Sequence, residues 1–128
     1  MAPINEGMWR AAADGRLAVQ RCSDCGAHRY PPTDGCYRCA SAQWGWSDLP
    51  GTGTVYTYIW VPMRSDPDRR YNVAVVSVDG TDGEPVRILS NVVDAWADAD
   101  LNIGDRVRLH PVRFGDGLAL PCFRRWTR

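Results

Sequence analysis

Four cysteines set in two close pairs, Cys22 with Cys25 and Cys36 with Cys39, constrain this chain more than any other feature. Each pair has the two-residue gap at which a tight turn aims both sulfurs inward. Ten residues separate the pairs, enough for a short hairpin to bring them together. Four thiolates placed this way close a tetrahedron around one metal ion. Zn²⁺ suits that soft ligand set, and Fe²⁺ in a rubredoxin-like site is its main competitor. Gly26, directly after the first pair, suits the positive φ such a turn uses. A closed all-thiolate shell leaves no position for water or substrate, so the expected role is structural. The 21 residues from Gln20 to Ala40 are too few to stay folded without the ion.

Disulfides are the alternative. Met1 to Arg10 shows no basic stretch followed by an apolar run, and no apolar segment is long enough to span a bilayer. The expected location is therefore the reducing cytoplasm, where paired cysteines bind metal more often than they oxidise. Cys122 stands apart in an apolar stretch and reads as a buried, inert thiol.

At 128 residues and 45% hydrophobic content the chain is one ordinary domain or two small modules. Fifteen basic residues balance fifteen acidic ones, whereas a protein that holds nucleic acid by its phosphates usually carries a basic excess. A local exception is the C-terminal stretch, with Arg106, Arg108, Arg113, Arg124, Arg125 and Arg128 against Asp105 and Asp116. Every basic residue is Arg. Without lysine, Schiff-base chemistry cannot run on this chain alone. His28, His110, Glu6, Glu84 and the aspartates form no recognisable catalytic arrangement, so no catalytic residue is assigned. Asp105 and His110 have a spacing seen in hot-dog-fold hydratases, but Asp105 follows Gly104 and reads as a turn residue, with His110 on a strand face.

Ile4 to Val19 reads as an amphipathic lead-in containing a short helix, with Met8, Ala11 or Ala12 and Leu17 on one face and Gly7 and Gly15 weakening it. The metal ribbon follows, stiffened by Pro31 and Pro32 and surrounded by Arg21, Arg29 and Arg38, which would offset the net −2 of a dication bound to four thiolates. Ser47 to Gly53 reads as a turn-rich hinge, dividing the chain into residues 1–50 and 51–128. Beyond it the period becomes two, and Thr54–Val61, Tyr71–Val78, Pro85–Val93, Arg106–Arg113 and Leu118–Trp126 read as strands. Asp94 to Leu101 leaves room for a short helix between the third and fourth. The expected fold is mainly β: an N-terminal helix and zinc ribbon followed by a five-stranded OB-type barrel. Val73 to Val78 is apolar on both faces, so that strand is expected to be covered outside as well.

In the first of these strands Val55, Thr57, Ile59 and Val61 alternate with Tyr56, Tyr58 and Trp60. The alternation predicts an aliphatic row facing the core and an aromatic row facing outward. Such a stripe serves either as packing against the helix, the ribbon or another subunit, or as a stacking platform for single-stranded nucleic acid. The charge balance favours packing. Trp9 reads as a core filler or a partner anchor.

The chain resembles the rubredoxin-like zinc ribbon plus OB-fold proteins associated with acyl-CoA enzymes, a family known as domain of unknown function thirty-five. The resemblance rests on Gly15-Arg16-Leu17, on Gln20 through Gly26, on Arg29-Tyr30-Pro31-Pro32, on Cys36 to Cys39, on Gly51 through Tyr58 and on Ile103 through Val107. It covers nearly the whole chain. Where the family commonly has Pro after its third cysteine this chain has Tyr37, which affects the rigidity of the knuckle more than the ligands.

The resemblance implies an accessory subunit rather than a self-sufficient enzyme. Its partner would be a thiolase-fold, lipid-transfer-protein-like aldolase, in a heterotetramer that cleaves a β-hydroxyacyl-CoA by a retro-aldol step in steroid side-chain degradation. Thiolase, hydroxymethylglutaryl-CoA synthase and hydratase complexes are alternatives within the family, and a nucleic-acid-binding ribbon and barrel is the alternative outside it. Zinc at Cys22, Cys25, Cys36 and Cys39 is then the structural cofactor and acyl-CoA the ligand of the complex. Trp9, Tyr56, Tyr58 and Trp60 are the interface candidates, and Arg124, Arg125 and Arg128 the candidates for CoA phosphates.

Overall fold

The computed structural model describes residues 4–82 and 84–126. The lead-in contains the short helix expected, α1 (Glu6–Ala13). Gly15, at φ +81°, breaks it. The Gly15 and Arg16 amides return to the Ala12 and Ala11 carbonyls, both at 2.9 Å, the paired bonds of a Schellman stop. Leu17 therefore opens a strand instead of completing a helical face.

Three strands make the ribbon: β1 (Leu17–Cys22), β2 (His28–Arg29) and β3 (Trp44–Leu49), in the order β2-β1-β3. The third was not legible as a strand. Ser47 to Leu49, expected in the hinge, pair instead with β1 in the register Val19 to Ser47 and Leu17 to Leu49. Burial of Trp46 and Leu49 against the core outweighs the weak strand preference of Gly45, Ser47 and Asp48. A Cβ on Gly7 would overlap the Trp46 indole, so the glycine that weakens α1 is what lets β3 approach it.

Five strands follow: β4 (Thr52–Pro62), β5 (Arg70–Val78), β6 (Arg87–Ser90), β7 (Arg106–Gly115) and β8 (Leu118–Arg125), in the order β6-β5-β4-β7-β8. A parallel bridge from Val92 to Phe123 and the Val93 amide on the Phe123 carbonyl at 2.8 Å bring the two edges together into a nearly closed barrel. Of the helix expected between Asp94 and Leu101, one 3₁₀ turn forms, Asp98–Asp100. Met8, Leu17 and Val19 share one hydrophobic cluster with Val55, Val76, Ile88, Val107 and Phe123, so α1 and the ribbon close over the barrel core. No helix among the described residues is long and apolar enough to cross a membrane.

The expected alternation along β4 fails at Tyr56. The register against β5 runs Val55 to Val76 and then Thr57 to Val75, a bulge that spends one residue without advancing the pairing. Every later side chain changes face. Val55 is buried as expected, but Tyr58 and Trp60 turn onto the core while Ile59 is 61% exposed. The outer covering expected for β5 is also missing among the described residues. Its Val73 and Val75 lie opposite Ile59 and Leu89, and Leu89 is 60% exposed.

Candidate metal centre and partner face

The four cysteine sulfurs lie within 4.8 Å of one another. Cys22 and Cys39 stand at 3.5 Å and Cys25 and Cys36 at 3.6 Å, too far for S–S bonds. Metal–sulfur bonds of about 2.3 Å in a tetrahedron place sulfurs about 3.8 Å apart, so the cluster fits a Zn²⁺-sized ion. Two knuckles hold it. The Gly26 amide returns to the Cys22 carbonyl at 3.0 Å and the Ala40 amide to the Cys36 carbonyl at 2.9 Å. Ala40 takes the left-handed conformation, φ +63°, at the place where Gly26 serves the first knuckle.

Backbone amides prepare the thiolates. Those of Cys25, Ala27 and Cys39 are the main groups lowering the pKa values of Cys22, Cys25 and Cys36 respectively. Cys39 receives the Ser41 amide, which favours its thiolate, yet proton sharing with Cys22, partial desolvation, and sharing with Cys25 and Cys36 push it up to about 12. A dication bound by the four sulfurs would displace the proton that Cys39 holds. The three expected cations divide. Arg38 bonds the Cys25 carbonyl and Arg21 the Gly26 carbonyl at 3.0 Å, both beside the cluster. Arg29 is instead 6% exposed, tied to Gln20 at 2.8 Å and to the Thr33 carbonyl at 2.9 Å, a structural rivet. Tyr37 accepts the Glu84 amide at 2.6 Å, so the residue that departs from the family pattern pins the second knuckle to the connection after β5.

The aromatic candidates split as well. Trp9 is half-buried, its ring edge-on to Phe114 at 5.3 Å, and Phe114 is 49% exposed on β7. Tyr56 stands out at the bulge under the Arg87 guanidinium, 4.2 Å away. Tyr58 and Trp60 pack inward, edge to face, and the Tyr58 hydroxyl donates to the Leu101 carbonyl at 3.0 Å. The continuous outward stripe needed for base stacking is therefore not formed. What stands outside is Tyr56 with the aliphatic row Ile59, Val73, Val75 and Leu89, which sequence reasoning missed because nothing local marks a bulge.

Arg125 is countered by Asp94 and Asp100, each at 3.5 Å, whereas Arg124 sits opposite Arg108 across the β7–β8 pair. Arg128 lies outside the described residues. Asp105 accepts the Asn102 amide at 2.8 Å in a turn, and His110 is exposed on β7, as the sequence suggested for both.

Residues 9–45 match the family described as ChsH2, rubredoxin-like zinc ribbon domain, and residues 46–111 match ChsH2, C-terminal OB-fold domain. The chain belongs to the ChsH2 family. The solved Ltp2-ChsH2(DUF35) aldolase contains a chain 33% identical to it, superposing with a TM-score of 0.80 over 98% of this chain and 96% of that one. A protein of unknown function from the DUF35 family of Sulfolobus solfataricus shares the fold, with a TM-score of 0.60 at 14% identity over 85% of this chain and 78% of that one. The probable enoyl-CoA hydratase alpha subunit of Thermomonospora curvata is 34% identical over 120 residues, 94% of this chain. This ChsH2-family chain spans 37% of that relative's length.

Proposed function

We propose that the chain is the accessory subunit of a thiolase-fold, lipid-transfer-protein-like aldolase, forming interface and acyl-CoA site while its partner supplies the acid and base. The near full-length similarity to the ChsH2 chain of a two-component aldolase carries this reading. The substrate is a β-hydroxyacyl-CoA of steroid side-chain degradation. A base on the partner takes the hydroxyl proton, the bond between the α- and β-carbons breaks, and its electron pair passes to the thioester enolate, leaving a carbonyl product. Zn²⁺ holds the ribbon, and the assembly is a heterotetramer in the cytoplasm. Trp9 and Tyr56 with the exposed row around Ile59 offer apolar anchors to the partner, and Arg124 is the described arginine best placed for a CoA phosphate.

Purification of the chain alone and together with its catalytic subunit tests this. Aldol cleavage in the mixture is expected. Cleavage by this chain alone, or full activity of the catalytic subunit without it, overturns the reading. A hydratase partner is the second reading, favoured by the similarity to the hydratase alpha subunit. Hydration of an enoyl-CoA by the co-purified complex, without aldol cleavage, would select it.

A further inference from the structure

A cavity of about 340 Å³ opens between the start of β5, the 91–96 connection and the β7–β8 hairpin, and its lining is almost wholly apolar. Val92, Ala95, Asn72 and Cys122, each at most 5% exposed, form its floor. Tyr71, Trp96, Val112 and Leu120, between 38% and 52% exposed, form its mouth. It lies at the end of the barrel where the β4–β5 and β7–β8 loops project, the region through which barrels of this topology usually hold ligands. Those ligands are commonly polar, yet no charged side chain lines this cavity among the described residues.

The cavity is built rather than left over. Asn72 interrupts an apolar strand and is 2% exposed. Its amide donates to the Val92 and Ala95 carbonyls at 2.8 and 2.9 Å, and its oxygen accepts the Val92 amide at 2.8 Å. The Asn91 side chain in turn donates to the Asn72 carbonyl at 2.5 Å. These bonds hold the connection at a fixed distance from β5, so the wall cannot collapse to fill the space. At the mouth, Arg69 lies over the Trp96 ring at 5.8 Å, which fixes the indole and leaves a cation outside the hydrocarbon lining.

We propose that this cavity is a binding site for a compact hydrocarbon group, alicyclic or branched aliphatic, carried by a small molecule whose polar end stays at the mouth near Arg69. An apolar cavity of roughly 150 Å³ accepts benzene. The larger volume here suits two fused rings. The inference is read on this chain by itself and so stands or falls separately from the accessory-subunit reading.

Calorimetric titration of the full zinc-loaded chain with decahydro-2-naphthol and with 1-decanol tests it, the two probes separating ring from chain. One saturable site is expected, filled more tightly by the ring. Val112→Trp, or Leu120→Trp at its cross-strand neighbour in the β7–β8 hairpin should the first not fold, fills the cavity and weakens binding by about tenfold or more. Ile103→Trp, exposed in the turn before β7 and outside the cavity lining, leaves binding unchanged. Peptide mapping of a thiol reagent should show Cys122 modified more slowly when the ring probe is bound. No saturable binding of either probe, or equal binding by both filled variants and the parent chain, overturns the proposal. Protection of Cys122 by the catalytic subunit but by neither probe also overturns it, and assigns the cavity to a partner side chain.

Discussion

His28 on β2 accepts the backbone amide of Asp82 on its Nδ1 at 2.7 Å, joining the metal ribbon to the connection that follows β5. The imidazole can do this with a free lone pair on Nδ1, which leaves its proton on Nε2, 3.4 Å from the Ser47 hydroxyl. Together with Tyr37 and Glu84 it fastens the ribbon to the barrel from outside the shared core. The two modules thus hold one relative position, which a surface contributed jointly to a partner would need.

This bond predicts an acid limb in stability. Burial, and next the charge of Arg21, hold the His28 pKa below its ordinary value, while the backbone and carboxylate charge of Asp82 oppose them more weakly. A depressed pKa means that the folded state binds the proton less readily than the unfolded chain. The stabilisation is therefore complete above about pH 6.5 and is lost as pH falls from there through the folded value. His28→Asn places an amide oxygen near the position of Nδ1 and does not titrate. Denaturation midpoints of the zinc-loaded forms between pH 7.5 and 5, roughly the imidazole range, should fall more steeply for the parent chain. Parallel curves would refute the assignment.

The bulge at Tyr56 predicts opposite behaviour for neighbouring tyrosines. Tyr58→Phe loses the bond to the Leu101 carbonyl and should cost about 1 kcal/mol, and Trp60→Ala, emptying part of the core, about 3–5 kcal/mol. Tyr56→Ala should shift the urea midpoint little, because the ring is 51% exposed, and should instead weaken retention of the catalytic subunit. Comparable destabilisation by Tyr56→Ala and Tyr58→Ala would restore simple alternation.

What was readable in the sequence and what was not divides along the range of the interactions. The cysteine knuckles, the strands from Thr54 onward and the turn at Asp105 are set by residues close in sequence, so spacing alone discloses them. The third ribbon strand exists because Leu49 and Ser47 meet Leu17 and Val19 across the chain. The faces of Tyr58 and Trp60 depend on a register shift against β5, which no local pattern records. Asn72 did carry a signal, as a lone amide entering an apolar run. Its three partners, however, lie 20 to 23 residues away in a connection with no regular period.

Metal removal should separate ribbon from barrel. One Zn²⁺ per chain is expected by elemental analysis, with Co²⁺ replacement giving the absorption of a tetrahedral thiolate site. Chelation should abolish amide protection in β1 and β2 before it affects β5, because the ion's binding energy is the ribbon's folding energy, about 10–16 kcal/mol for comparable small sites. Cys22→Ser, at a position 2% exposed, should be more damaging than Cys39→Ser at the exposed ligand. A chain that retains β1 protection without metal would show that packing against Met8 and Val55 suffices.

Asn72→Leu keeps the volume but strands the Val92 amide and the Val92 and Ala95 carbonyls. The cost should be about 3 kcal/mol, dominated by buried polar groups left without partners. Hydrogen exchange should rise first in residues 91–96, with protection of β4 and β7 retained. A stability change within error would mean that water or a shift of the connection satisfies those groups.

Arg108 and Arg124 face each other across β7 and β8, a like-charge pair that costs stability unless an anion or a carboxylate meets it. Arg106 on the same strand already bonds Asp79, and Arg125 already bonds Asp94 and Asp100. Among the described C-terminal arginines, the 108–124 pair is thus the one whose charge is least compensated within the chain. Arg124→Glu converts repulsion into a cross-strand ion pair and should raise stability by about 0.5 kcal/mol at low salt. If the pair meets a CoA phosphate, the same substitution should raise the KM of the assembled complex for its thioester and leave kcat nearly unchanged, since charge is lost from binding and not from the reacting carbon. Stability and affinity would then move in opposite directions. A variant that is more stable with an unaltered KM would remove Arg124 from the CoA site, and one that loses stability would show that the two guanidinium groups are kept apart by their side-chain length.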